Sequence, residues 1–63
     1  MMAYNIYKGG KLHAVCKDEM TAVMAAVEYY RATTVDITAE EVRPDGSTTP
    51  YDWQKSYREL CNQ

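Results

Sequence analysis

The stretch Tyr4-Asn5-Ile6-Tyr7-Lys8-Gly9-Gly10-Lys11-Leu12-His13-Ala14-Val15-Cys16 decides the fold. Two runs rich in β-formers flank a glycine pair. A two-residue type I′ turn needs φ > 0 at both central positions, which glycine adopts without steric cost. The spacing predicts a β-hairpin with Lys8 opposite Lys11, Ile6 opposite His13 and Tyr4 opposite Val15. Asn5, Tyr7, Leu12, Ala14 and Cys16 then share the other face. Both faces are partly apolar, so periodicity alone does not choose the inward one.

Beyond the hairpin, Asp18 is placed to cap a helix running to about Ala32, and Glu19 complements its positive end. Met20, Val23, Met24, Val27 and Tyr30 make a stripe at helical spacing, expected to face the core. Ala22, Ala25, Ala26 and Tyr29 form a second apolar stripe. A helix apolar on two faces is expected to be covered on both; the short C-terminal helix, through Trp53, Tyr57 and Leu60, can cover part of the second stripe, and a second copy of the chain related by a two-fold axis is the favoured cover. Thr33 and Thr34 mark the exit. Residues 34–43 alternate as a half-buried strand, inward at Val35, Ile37 and Ala39, with a bulge at Glu41-Val42 returning Val42 to the apolar side. Pro44 ends this strand and Asp45-Gly46 turns the chain. Thr49 reads as an N-cap, Pro50 as the first helical residue and Asp52 as its capping-box partner. Trp53, Tyr57, Leu60 and Cys61 follow on one side of a short helix.

The order is thus β-β-α-β-α: an α+β domain with a three-stranded antiparallel sheet, the central helix on one face and a short C-terminal helix. Residues 1–63 form a single domain, with Leu12, Val23, Val27, Val35, Ile37 and Trp53 as the expected core.

The chain has 63 residues, a mass of 7.2 kDa and a formal net charge of −2. A domain this small buries only about 60% of its unfolded surface. A ligand cavity of several hundred Å³ would consume much of such a core, which argues against a self-contained enzyme. Two cysteines, Cys16 and Cys61, fall short of the four to eight of a small secreted scaffold. No apolar run precedes Tyr4 and none reaches the roughly 20 residues of a membrane helix. The expectation is a cytoplasmic protein with reduced thiols and no membrane contact. Six tyrosines, one tryptophan and no phenylalanine suit half-buried surfaces that a partner later covers.

Residues 1–17 carry three lysines and no acid, whereas residues 18–45 carry seven acids against Arg31 and Arg43, a net of −5. Three lysines near one hairpin fall short of the dense basic stripe of a duplex-DNA binder. The acidic middle segment suits a basic groove on another protein. His13-x-x-Cys16 in a regular strand puts its two side chains on opposite faces, so no zinc site is expected. Ser47, Ser56 and the distant His13 supply no nucleophile–base pair, and Glu40-Glu41 point apart on a strand. Lys8-Gly9-Gly10-Lys11 joins two strands, unlike a phosphate loop between strand and helix. Neither catalysis nor a cofactor is expected.

Residues 16–44 run from a strand through Lys17-Asp18-Glu19 and an Ala-rich helix to a strand closing in Val42-Arg43-Pro44. This layout resembles small bacteriophage inhibitors of host machinery, in outline the T7-type inhibitor of host RNA polymerase. Arg43 matches one of the arginines on that family's last strand, while Glu41 stands where the family has another. Anti-CRISPR proteins are similar in being tiny, mildly acidic and without a catalytic set. The resemblance implies a compact protein that occludes a surface of a host enzyme complex. Together with the tyrosines and the acidic segment, it makes Tyr7, Tyr29, Asp36, Glu40, Glu41 and Arg43 the candidate partner-binding residues. Two other readings stand beside it. One is a structural or regulatory subunit of a cellular complex; the other is a single-stranded nucleic-acid binder using Tyr4, Tyr7 and the hairpin lysines.

Overall fold

The computed structural model describes residues 2–62. Among them the chain forms β1 (Ala3–Lys8), β2 (Lys11–Cys16), α1 (Glu19–Ala32), β3 (Ile37–Val42), β4 (Thr48–Tyr51) and α2 (Trp53–Cys61). The class is α+β. The sheet has four strands rather than three, antiparallel throughout, in the order β2-β1-β3-β4. Both helices pack on one side, and the other side of the sheet carries no helix.

The extra strand is the segment expected to open the last helix. Thr48, Thr49 and Tyr51 are β-formers, and the turn before them is tightly closed. Arg43 and Ser47 are joined N–H to carbonyl at 2.9 Å, Gly46 N–H donates to the Arg43 carbonyl, and Asp45 Oδ1 accepts from the Ser47 N–H and hydroxyl. Pro50 is tolerated because β4 is an edge strand, where its missing donor breaks no ladder. Asp52, not Thr49, caps α2, accepting the Lys55 N–H at 3.0 Å.

Gly9 (φ +59°) and Gly10 (φ +83°) make the expected turn, with Lys8 opposite Lys11. The expected register fails further from the turn. A shift between Ile6 and Tyr7 leaves His13 as an extra residue, so Ile6 pairs with Ala14 and Tyr4 with Cys16. The bulge therefore lies in β2. β3 pairs regularly with β1 through Val42, which stays on the face away from the helices. His13 stacks edge-on against Tyr29 of α1 at 4.8 Å. It thus turns to the helical side with Cys16, not to the opposite face.

Tyr4, Ile6, Cys16, Ile37 and Ala39 point from the sheet into the core; Ala22, Val23, Ala26, Val27 and Trp53 meet them from the helices. The stripe expected to be spare is thus largely inside. Ala22 and Ala26 are 0% exposed, Ala25 and Tyr29 are half-buried, and Met20 and Met24 are exposed instead. The reason is steric: Ala22 and Ala26 share the core with Cys16, with Ala14 packed against it, and side chains this small let the helix lie close to the sheet, where methionines would hold it off. Ala22 and Ala26 accordingly offer no surface to a second copy. Three other core expectations fail. Tyr30, the end of the stripe expected to face the core, is 54% exposed. Leu12 is 55% exposed on the helix-free face, and Val35, exposed too, lies in the loop before β3. Trp53 does pin α2 to the sheet, its Nε1–H donating to the Ile37 carbonyl at 2.9 Å.

Candidate functional site

Because β1 lies between β2 and β3, the helix-free face has rows of side chains running across the strands. One row is Val15, Asn5, Glu40 and Pro50; the next is Leu12, Tyr7 and Thr38. Glu40 sits directly across from Asn5 and diagonally from Tyr7, within reach of both. The Tyr7 hydroxyl donates to Glu40 Oε1 at 2.5 Å and Asn5 Nδ2 donates to the same oxygen at 3.1 Å. Both bonds fall on Oε1, and Oε2 takes neither. The Tyr7 hydroxyl, and after it the Asn5 amide, holds the Glu40 carboxyl below the usual carboxylate range. The same bond pushes the Tyr7 hydroxyl up. A carboxylate fixed by two donors is charged at neutral pH and has lost the freedom that binding would otherwise have to remove.

The same face also carries aliphatic side chains. Leu12 and Val15, the latter 64% exposed, stand on β2 beside Tyr7 and Asn5, and Val42 lies beyond Glu40 on β3. Antiparallel sheets commonly leave one face in water; here that face combines a fixed anion with exposed aliphatic groups.

Of the six partner-binding candidates, the structure brings together only Tyr7 and Glu40. Tyr29 is on the helical side against His13. Glu41 is inward in phase and half-buried, adding its charge to the burial that pushes the Tyr4 hydroxyl up. Asp36 is exposed in the loop before β3, where its carbonyl accepts the Gly9 N–H at 2.9 Å. Arg43 is exposed in the β3–β4 turn. Tyr4 is buried and stacks edge-on against Tyr51 at 5.1 Å, so it is not available to stack on a nucleic-acid base. Asn5 is the member of the acceptor site that sequence reasoning missed. No local signal marks it, because its role depends on the β1–β3 pairing.

Both cysteines are free thiols, Cys16 buried and Cys61 exposed; burial, then the Asp18 charge, pushes the Cys16 thiol up. Among the described residues no group of three or more His, Cys, Asp and Glu is placed to hold a metal ion. No helix there is long and apolar enough to cross a membrane. Comparison with protein-family models, with curated proteins and with solved structures gives no match.

Proposed function

We propose that this chain is a non-enzymatic protein-binding module. Its helix-free sheet face docks on a partner that offers an arginine or lysine to Glu40 and apolar groups to Leu12 and Val15. The observation that carries this reading is the Glu40 carboxylate, fixed on one oxygen by Tyr7 and Asn5 on a face that also exposes Leu12 and Val15 one strand beyond them. A pre-oriented acceptor with a second oxygen available suits a guanidinium or ammonium donor, and apolar groups elsewhere on the face add burial on docking. Size supports the reading as well. The slab measures 32 × 30 × 15 Å along its principal axes, a molecule large enough for the roughly 800 Å² per partner of a standard interface. The mode of action proposed is occlusion of a functional surface on a host enzyme complex, of CRISPR effector or RNA polymerase type, as the layout resemblance implies.

Photo-crosslinking residues placed at Val15 or at Met24, on opposite sides of the slab, test the docking face in bacterial extract. The expected result is one product formed from position 15 and not from 24, and lost with Glu40→Gln. With that partner purified, Glu40→Gln is expected to weaken binding about tenfold or more. Products only from position 24, or an affinity indifferent to Glu40→Gln, would overturn the assignment.

A further inference from the structure

The helical layer, on the side away from the proposed docking face, holds a cleft of about 330 Å³ between α1 and α2. Val27 and Trp53, both buried, form its apolar base; Tyr30 and Tyr57 wall it, and Arg31 and Arg58 line it with positive charge. Each helix contributes a Tyr-Arg pair, Tyr30-Arg31 from α1 and Tyr57-Arg58 from α2. The walls are held in place. The Tyr30 ring packs edge-on to Trp53 with centroids 5.5 Å apart, and Arg31 Nη2 donates to the Tyr57 hydroxyl at 3.3 Å.

None of the residues lining the cleft is acidic, although the chain as a whole is net negative. Each arginine lies in the last turn of its helix, where its charge complements the dipole. That role needs no shared cleft and no aromatic neighbours, so it does not account for two guanidinium groups lining one aromatic cleft. Planar guanidinium groups pair bidentately with carboxylate and phosphate and also pack on rings. The volume lies at the small end of ligand sites, about 300–1,000 Å³, which fits one ring system and its acidic group.

We propose that this cleft binds a small aromatic anion, its ring against Trp53, Val27 and Tyr30 and its carboxylate or phosphate on Arg31 and Arg58. The site is independent of the protein-docking face, and either assignment can fail without the other.

Trp53 is the only tryptophan, so its emission reports directly on the cleft. The probes are adenosine 5′-monophosphate and phenylacetate, with adenosine and phenylacetamide as their neutral counterparts and inorganic phosphate as the anion without a ring. The expected result is a saturable change with at least one ring-bearing anion in the submillimolar range. Its neutral counterpart and phosphate alone are expected to bind about tenfold or more weakly. Which anion saturates tells a phosphate monoester from a carboxylate. Arg31→Gln and Arg58→Gln should each weaken binding by a similar factor while far-ultraviolet circular dichroism stays unchanged. No saturation by either anion up to about 10 mM overturns the proposal. So does equal binding of the neutral counterpart by the parent protein, or an affinity that survives both arginine substitutions.

Discussion

Replacing each turn glycine by alanine tests whether the hairpin and the loop before β3 are locked together. Gly9 and Gly10 both have positive φ, and a side chain in that region costs about 1–2 kcal/mol at either position. Their surroundings differ. A Cβ on Gly10 meets nothing within 4 Å, whereas one on Gly9 would stand 2.7 Å from Val35 Cγ1. Val35 is exposed, so relief comes from turning it off its rotamer, at about 0.5–1.5 kcal/mol. Moving the loop instead strains the bond from the Gly9 N–H to the Asp36 carbonyl. Gly9→Ala should thus cost about 1.5–3.5 kcal/mol and Gly10→Ala about 1–2. For 63 residues the whole stability is about 3–9 kcal/mol, so both losses are measurable. With a urea slope of about 1 kcal/mol/M, the two midpoints should lie about 0.5–1.5 M apart. In a Val35→Ala background the steric partner is gone and the two substitutions should become equal, the signature of direct coupling. Equal midpoints in the parent, or a gap that persists without the Val35 methyls, would refute the reasoning.

Ala26→Glu forces a carboxylate into a position with no exposure, at a cost of several kcal/mol. It should abolish the circular dichroism of the folded chain, and a folded variant with only its light-scattering mass altered would contradict the packing of α1. Trp53→Phe leaves the Ile37 carbonyl without its buried donor and should lower stability by about 2–4 kcal/mol in urea titrations; a midpoint equal to the parent's would show that α2 is not pinned there. The Tyr51 hydroxyl, pushed up to about 12 by burial and then by its bond to Glu19, keeps a proton that the unfolded chain releases near the ordinary value of about 10. Its contribution is complete below that lower value and is lost as pH rises through the higher one. Urea midpoints should therefore fall in strong alkali, and less steeply for Tyr51→Phe; identical pH profiles would refute the assignment.

Local chemistry was legible wherever it acts over a few residues. The Gly9-Gly10 turn, the Asp18 cap, which accepts the Thr21 N–H at 2.8 Å, and the buried Trp53 all follow from neighbours in sequence. Thr49-Pro50 misled because the same residues suit a helix start and an edge strand, and pairing with β3 decided between them. The inward face of α1 misled for a different reason. Hydrophobicity favours Met20 and Met24, but the close approach of helix and sheet selects Ala22 and Ala26. At the acceptor site, Tyr7 and Glu40 could be picked out as residue types. Their meeting could not, because the third strand could have joined either edge of the hairpin. The cleft had a faint signal in the Tyr-Arg pair that each helix repeats, which becomes a site only once the two helices lie side by side.

The acceptor on the open face also bears on what cannot dock there. Glu40 is held ionised while the face is wet, and docking removes that water. An apolar partner would leave a desolvated carboxylate with only its two internal donors, a penalty that two hydrogen bonds do not cancel. A second copy of this chain fares no better on this face. A two-fold axis through its middle would bring two Glu40 carboxylates toward each other, and like charges in a dehydrated contact repel strongly. Of the alanine stripe, Ala22 and Ala26 are already packed on the sheet and offer no contact to a second copy. If the proposed docking face meets a basic partner, the charge that suits it also acts against apolar surfaces and against its own copy, one way in which an interface gains selectivity without much area.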